Sequence, residues 1–149
     1  MASLWPFFDL RLRTPRLELR VVRDDDLPAL LRMVRERGLH GPDDQPFPHG
    51  WTSTPSPEME RGYARRMWRH RSELRPERWR IPLVALHEGE LVGDQSIFGL
   101  DFHTLGVATT GSFLARDLQG RGLGKEMRRF GRLQEVLTIL RPYVAARLQ

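Results

Sequence analysis

The sequence predicts a single α/β domain in which a mixed sheet is combined with helices in an α+β arrangement. Three observations predict this class. An alternating strand pattern lies near the start, two helical patterns precede a group of β-rich runs, and a glycine-rich turn then leads into another amphipathic helix. The 149 residues are expected to share one hydrophobic core.

The first elements are a strand and a helix. Residues 17–21 alternate apolar and polar side chains, which indicates a half-buried strand. Acidic residues at 24–26 and Pro28 suit the first turn of a helix, which should end near Gly38. Its apolar face is expected to contain Leu27, Leu30, Leu31 and Val34.

The segment from Leu39 to Pro57 is rich in proline, glycine, aspartate and histidine, and it is too aromatic for a plain linker. This composition is typical of a functional loop. Phe47 and Trp51 can contact a ligand or can pin the loop to the core, and the sequence leaves both roles open. His49 has no recognisable partner in the sequence.

The second helix is predicted to have Ser56 as its N-cap and Pro57 in its first position, and to end before Pro76. Its apolar face should contain Met59, Tyr63, Met67 and Trp68. Arginines at positions between 61 and 71 alternate with this face. They favour a solvated helix surface over a nucleic-acid interface.

Two β-rich runs follow, at residues 79–87 and 91–100, and Glu88-Gly89-Glu90 between them predicts a short hairpin. A looser turn at residues 101–106 leads to a further strand at residues 107–114. No internal repeat or low-complexity segment interrupts this order.

The stretch Gln119-Gly120-Arg121-Gly122-Leu123-Gly124-Lys125 lies between that strand and the last helical pattern. Glycines permit positive φ and close approach of a ligand, and the N-terminus of a helix presents unpaired N–H groups. The stretch therefore favours a phosphate site, while a plain glycine-rich connection remains the alternative. It has neither the glycine spacing of a Rossmann fingerprint nor the Lys-Ser/Thr pair of a P-loop.

The last helical pattern contains Met127, Phe130, Leu133, Leu137 and Leu140, and Pro142 discourages its continuation. Residues 116–149 hold eight basic and three acidic side chains, whereas residues 1–115 hold sixteen of each. The net charge of +5 therefore arises at and after the glycine-rich stretch. This excess suits a ligand with several phosphates, and a solvated basic helix face is the alternative.

The composition excludes several other classes of protein. Without cysteine the chain has neither a disulfide framework nor a thiolate nucleophile, which fits the reducing cytoplasm. No apolar run reaches transmembrane length, and residues 1–10 do not form a signal peptide. We expect a soluble, cytoplasmic protein that does not bind membranes.

Three parts of the chain resemble one family. Gln119, Gly122 and Gly124 match the pattern Q/R-x-x-G-x-G, and residues 14–20 and 110–114 also resemble the GNAT superfamily of N-acetyltransferases. The similarity covers residues 1 to about 128 and is greatest to the branch of the ribosomal-protein N-terminal acetyltransferases. It implies the GNAT-like acyl-CoA N-acyltransferase fold, acetyl-CoA as co-substrate and a primary amine as acceptor. The α-amine of a protein or peptide is the favoured acceptor.

The resemblance also implies roles for individual residues. Main-chain groups of Phe113, Leu114 and Ala115 would pair with the pantetheine arm of the coenzyme. The diphosphate would be held by the turn that contains Gln119, Gly120, Arg121, Gly122, Leu123, Gly124 and Lys125. The loop over the acceptor would contribute Asp43, Asp44, Phe47 and Trp51. No metal ion is implied.

The chain departs from the family pattern at the general base. Many relatives have a glutamate where this sequence has Thr109, and a threonine hydroxyl cannot act as a base at neutral pH. Asp94, Asp101 and His103 are the substitutes, and for each a surface or turn-capping role is the alternative. The catalytic residue is therefore unknown from the sequence.

The end of the sequence also departs from the pattern. The family continues with a strand, a helix and a pair of strands, which residues 129–149 do not resemble, and we expect an atypical helical tail in their place. Such a chain would lack one wall of the coenzyme groove. It could be a weakly active or inactive CoA-binding relative, completed by a partner chain or by a homodimer through the open sheet edge. A basic nucleic-acid-binding module is a less favoured alternative.

Overall fold

The computed structural model describes residues 4–129 and residue 138, apart from the side chain of His103. Five strands form one sheet in the order β1-β2-β3-β4-β5, and all neighbouring strands are antiparallel. The strands are β1 (Arg11–Arg13), β2 (Leu17–Val21), β3 (Arg78–His87), β4 (Glu90–Leu100) and β5 (Ala108–Leu114).

The described α-helices are α1 (Leu27–Arg37), α2 (Glu58–Ser72), α3 (Phe102–Leu105) and α4 (Leu123–Arg129). Helices α1 and α2 connect β2 to β3, and α4 follows β5 after a short turn. The predicted α/β class and the predicted order of the main elements are confirmed, but the sheet of the described residues is entirely antiparallel and not mixed. None of the described helices has the length and hydropathy needed to cross a membrane.

The hydrophobic core has two parts, one on each face of the sheet. Adjacent residues of β3 show this division, since Leu83 packs in the part that includes α4, and Val84 packs in the part that includes α1 and α2. Side chains of a strand point alternately to its two faces, so the sheet is covered on both sides. The expected apolar face of α1, Leu27, Leu30, Leu31 and Val34, is buried.

The hairpin between β3 and β4 has a two-residue turn. Glu88 has a φ of 51° and Gly89 a φ of 78°, and His87 pairs with Glu90. Two consecutive positive φ values are those of a type I′ turn, whose twist suits an antiparallel pair. The predicted hairpin is therefore confirmed, with its turn one residue shorter than expected.

Several local features differ from the predictions. The three residues of β1 are too few to give a periodic pattern, and the looser turn at residues 101–106 contains α3. Ser56 is not an N-cap, because α2 begins at Glu58 and the Ser56 hydroxyl instead donates to Glu60 at 2.5 Å. Trp68 is half exposed and donates its indole N–H to Asp24 at 3.1 Å.

The last predicted helix begins at Leu123, within the glycine-rich stretch, and is described as far as Arg129. Its predicted continuation through Phe130, Leu133, Leu137 and Leu140 lies outside the described residues.

The arginines of α2 lie largely on a solvated surface, as predicted. Arg61 and Arg65 reach Glu58 of the same helix. Arg71 donates to the Asp24 carboxylate and to the Val22 carbonyl. One arginine of this helix, Arg66, instead lines a cleft.

Candidate functional site

A cleft of about 1530 Å³ lies between the loop after α1, the strands β4 and β5, and the glycine-rich turn. Of the residues selected from the sequence, its lining includes Asp44, Phe47, His49, Trp51, Asp94, Phe113, Leu114, Gln119, Gly120, Gly122, Gly124 and Lys125. The described residues Asp43, Asp101, Ala115, Arg121 and Leu123 do not line it. The fold therefore brings together the turn, the loop and one of the three proposed bases.

The glycine-rich turn has the backbone that its composition predicts. Gly120 and Gly122 have φ values of 80° and 82°, which a residue with a side chain adopts only with strain. Gly124 lies in the first turn of α4, and a Cβ added there would meet no atom within 4 Å. Its lack of a side chain leaves the main chain at the start of the helix accessible.

The N–H groups of this turn are available to a ligand. Among the described residues, no hydrogen-bond acceptor is found for the N–H groups of residues 120–125. The N–H of Gln119 is used within the protein, because it donates to the carbonyl of Arg116 at 3.2 Å. A run of unpaired N–H groups at the start of a helix carries partial positive charge and suits an anion.

Arg16, the residue before β2, contacts both the glycine-rich turn and α4, which are far away in the sequence. The Arg16 side chain donates to the Glu126 carboxylate at 2.7 Å and to the Arg121 carbonyl at 2.9 Å. The N–H of Arg16 donates to the other oxygen of Glu126 at 2.9 Å. We call this set of contacts the Arg16 clamp. It connects the Thr14–Arg20 segment with the glycine-rich turn, two stretches that the sequence shows only as separate resemblances.

The other end of the turn is fixed to α1. The Gln119 side chain donates to the carbonyls of Leu39 and Leu114 at 2.7 and 2.9 Å. Asp117 accepts two hydrogen bonds from Arg37, at 2.8 and 2.7 Å. The Gln119 side chain therefore holds the turn in place, and Gln119 also lines the cleft.

Strand β5 forms the opposite wall. Phe113 and Leu114 line the cleft, whereas Ala115 is fully buried and donates its N–H to the Val92 carbonyl at 2.8 Å. Ala115 thus offers no N–H donor to a ligand. Strands β4 and β5 come very close here, since a Cβ on Gly93 would lie 2.4 Å from the Phe113 carbonyl oxygen.

Asp94 is a buried acidic group that lines the cleft. Its side chain is buried, with 4% exposure, and accepts hydrogen bonds from Tyr63 at 2.9 Å and from Ser96 at 3.2 Å. Burial raises the pKa of Asp94 to about 6, although both hydrogen bonds and the nearby Arg80 and Arg66 oppose the shift. A carboxylate with such a pKa is ionised at neutral pH and can accept a proton.

The other proposed bases are less suitable. Asp101 is exposed directly after β4, with a φ of 47°. Its described hydrogen bonds are all made by its main chain, since its N–H donates to the Glu77 carbonyl at 2.7 Å and its carbonyl accepts from the N–H groups of Thr104 and Leu105 at 2.9 Å. The side chain of His103 lies outside the described residues. Thr109 is exposed on β5 and does not line the cleft.

Aromatic side chains attach the loop at residues 39–57 to the sheet. The Trp51 ring centroid lies 5.6 Å from each of the Phe47, Tyr63 and Phe113 centroids. His40 contacts the Thr52 hydroxyl at 2.8 Å. The two roles considered for Phe47 and Trp51 are thus compatible, because the rings that pin the loop also form the roof of the cleft.

The sequence did not point to Tyr63, Arg66 or Arg80 as residues of the cleft. The Arg66 guanidinium lies 5.2 Å from the ring centroids of both Trp51 and Tyr63, and Arg80 lies 5.0 Å from that of Phe98. Arg66 follows Tyr63 by three residues, a spacing that places it beside the apolar face of α2. The position of Arg66 could therefore have been inferred from its spacing to Tyr63. No such spacing points to Arg80, because the residues around it come from other elements.

The chain is similar to a known protein family and to several solved structures. The profile of an acetyltransferase (GNAT) domain matches residues 16–130. A ribosomal L7/L12 α-N-protein acetyltransferase, solved with coenzyme A, is 19% identical with a TM-score of 0.56. A putative ribosomal-protein-serine acetyltransferase from Vibrio cholerae is 21% identical with a TM-score of 0.55, and a ribosomal-protein-S5-alanine acetyltransferase from Vibrio fischeri is 14% identical with a TM-score of 0.57.

These matches cover most of this chain and a smaller share of each relative. The L7/L12 enzyme is matched over 85% of this chain and 64% of its own length. The corresponding shares are 95% and 70% for the Vibrio cholerae protein, and 90% and 68% for the Vibrio fischeri protein. At these identities the structural similarity establishes the fold.

Proposed function

The chain belongs to the acetyltransferase (GNAT) family, and on this premise we propose that it transfers the acetyl group of acetyl-CoA to a primary amine. The observation that carries the proposal is the position of two features in one cleft. Gly120, Gly122, Gly124 and Lys125, whose N–H groups have no acceptor among the described residues, line one part of it, and the buried carboxylate of Asp94 lines another. The first suits a diphosphate, and the second suits removal of a proton from an amine.

The turn is proposed to bind the coenzyme mainly through its main chain. Gly120 and Gly122 direct the backbone, and Gly124 leaves the start of α4 open. Arg121 and Lys125 are both exposed and would add positive charge near the phosphates. Phe113 and Leu114 of β5 would contact the pantetheine arm, whose thioester would then face the half of the cleft that contains Asp94.

The chemistry needs a neutral amine and a base. In the proposed reaction the amine nitrogen forms a bond to the thioester carbonyl carbon, and the bond from that carbon to sulfur breaks. Asp94 takes the proton that the nitrogen loses, and the thiolate that leaves is protonated from solvent. Tyr63 keeps its proton, because burial and the adjacent Asp94 raise its pKa well above the usual 10, and its hydroxyl orients the carboxylate.

The pKa of the acceptor favours an α-amine. With a pKa of about 8, roughly a tenth of an α-amino group is neutral at pH 7, whereas for lysine at about 10.4 the fraction is about one in 2,500. We therefore propose an α-amine as the acceptor, in the first place the N-terminus of a protein or peptide.

Calorimetric titration with coenzyme A tests the proposal. We expect binding by the wild-type chain and a loss of at least about tenfold in affinity for Gly124→Ala, because a methyl group would occupy the space of the diphosphate. The matched control is Gly62→Ala in α2, where an added Cβ also meets no atom within 4 Å. Both substitutions should leave the melting temperature unchanged or raised.

Three outcomes of this titration bear on the proposal. Loss of affinity in the Gly124 variant alone would support the assignment of the turn. Equal affinity in all three proteins would exclude it. Absence of coenzyme binding by the wild-type chain would contradict the proposed function.

A second candidate is a CoA-binding relative of low activity that needs a partner chain. The observation that favours it is the edge position of β5, which among the described residues pairs with β4 alone. A homodimer through this edge would pair β5 with a strand of the second copy. Light scattering of the chain with and without coenzyme A distinguishes the candidates, since only completion by a second copy predicts a dimer.

A further inference from the structure

Four arginines line the cleft, and two of them, Arg66 and Arg80, are partly buried without an acidic partner among the described residues. Arg66 comes from α2 and Arg80 from β3, and both line the cleft together with Asp94. Within the described part of the chain, neither guanidinium has a carboxylate oxygen within 4 Å. Both are nevertheless close enough to Asp94 to lower its pKa.

Other partly buried arginines of this protein are paired. Arg20 donates to both oxygens of Asp26 at 2.6 Å, and Arg37 donates to both oxygens of Asp117. Pairing offsets the cost of taking a guanidinium out of water. Arg66 and Arg80 stack on aromatic rings but do not have this compensation.

Burial makes the lack of partners costly. The Nε atom of Arg80 is buried and makes no hydrogen bond to a described residue. Burial is the main cause that lowers the pKa of Arg66, and Arg80 lowers it further. Two like charges in one partly buried site repel each other, and an anion between or beside them would relieve this repulsion.

We propose that Arg66 and Arg80 form an anion subsite for the acceptor, which is therefore an amine that carries a carboxylate near its amino group. This inference rests on the proposed function, because it assigns the acceptor half of the same cleft. A guanidinium group matches the planar geometry of a carboxylate and can donate two parallel hydrogen bonds to it. With Asp94 ionised, the three groups have a net charge of +1, which one carboxylate neutralises.

The carboxylate has two sources, the side chain of an acidic residue in a peptide or the α-carboxylate of a free amino acid. Two pairs of probes distinguish them. The peptides Ser-Glu-Ala-Ala-amide and Ser-Gln-Ala-Ala-amide differ only in a side-chain charge, and glycine and glycinamide differ only at the α-carboxylate. Calorimetry with the full chain, with and without coenzyme A, measures binding of each probe, and acetyl-CoA assays measure transfer.

We expect the charged member of one pair to bind about tenfold to a hundredfold more tightly, the range for a charge-assisted hydrogen bond. In Arg66→Gln and in Arg80→Gln the ratio of the affinities for the charged and the uncharged probe should fall towards one. Arg69→Gln is the matched control, because Arg69 is exposed on the same helix and does not line the cleft. Coenzyme A affinity should stay unchanged in all three variants.

Equal binding within both pairs by the wild-type chain would overturn the proposal, and this comparison needs no folded variant. A preference that survives in both glutamine variants would overturn it too. Loss of coenzyme affinity in those variants would assign the arginines to the coenzyme instead. A carboxylate preference without any coenzyme binding would retain the subsite and reject the acetyltransferase proposal, so the two can fail separately.

Discussion

The two halves of the cleft are built in different ways. The coenzyme half is one continuous turn whose proposed contacts are main-chain N–H groups. The proposed acceptor half consists of side chains from separate elements: Tyr63, Arg66, Arg80 and Asp94. The coenzyme half should therefore respond to changes in backbone conformation, and the acceptor half to changes in charge and hydrogen bonding.

Among the substitutions that test this difference between the two halves, Asp94→Asn is expected to have the largest effect. Asp94→Asn keeps the size of the side chain and an acceptor for the Tyr63 hydroxyl but removes the base. We expect acetyl transfer to fall by about 10²–10⁴-fold, with coenzyme A affinity unchanged. Steady-state rates and calorimetry on the same preparation check this.

The control for Asp94→Asn is Ser96→Ala, which removes one hydrogen bond to the carboxylate and leaves the base in place. Its loss of rate should be much smaller. If Asp94→Asn retains more than half of the wild-type rate, Asp94 is not the base.

The next effect concerns stability against pH. The Asp94 pKa is about 6 in the folded protein and 3.8 as its ordinary value, so the folded state holds this proton more tightly. Ionisation of this carboxylate therefore decreases the free energy of unfolding, by up to about 3 kcal/mol, as the pH rises from about 4 to about 6. Wild-type stability minus that of Asp94→Asn, from urea unfolding at several pH values, should fall over this interval.

The wild-type stability must be compared with that of Asp94→Asn because a second group, His70, affects stability over the same pH interval. Burial lowers the pKa of His70 to about 4, so its contribution to stability is lost as pH falls through the same interval. This dependence is present in both proteins and cancels in the difference. A difference that stays flat from pH 4 to pH 7 would show that Asp94 has an ordinary pKa.

A smaller effect is expected in the coenzyme half, from Gly122→Ala. The φ of 82° is unfavourable for alanine by about 1–2 kcal/mol, and the added Cβ would lie 3.3 Å from Arg16 Nη2. Both stability and coenzyme A affinity should therefore decrease. Gly124→Ala serves for comparison, since it should reduce affinity alone, and equal stability of the two variants would argue against strain at Gly122.

The smallest effect is expected for the Arg16 clamp. The Arg16 and Glu126 side chains are 44% and 15% exposed, so solvent screens their attraction. A double-mutant cycle with Arg16→Met and Glu126→Gln should give a coupling energy of about 1 kcal/mol or less in stability. The same cycle measured on coenzyme A affinity should show coupling only if the clamp orders the turn.

The sequence predicted those features that depend on residues close together in the chain. The hairpin at Glu88 and Gly89, the apolar face of α1 and the positive φ of Gly120 and Gly122 are all set by local chemistry. The choice among Asp94, Asp101 and His103 could not be made in this way. Burial of Asp94 results from packing between β4, β5 and α2, which are far apart in sequence.

The same reason explains why the two motifs near residues 16 and 122 could not be linked in advance. Arg16 reaches Glu126 across 110 positions, and neither residue lies in a pattern that marks it as half of a pair. Arg80 is a similar case, since only the folded sheet places it beside Phe98 and Asp94.

The Arg16 clamp couples local unfolding of β2 to release of the glycine-rich turn. Because it connects the second strand to the first turn of α4, separation of that strand from the sheet would also release the turn. By linkage, a ligand held by the turn would stabilise the strand to the same extent. Amide hydrogens near residue 17 would then exchange more slowly when coenzyme is bound, although the ligand touches none of them.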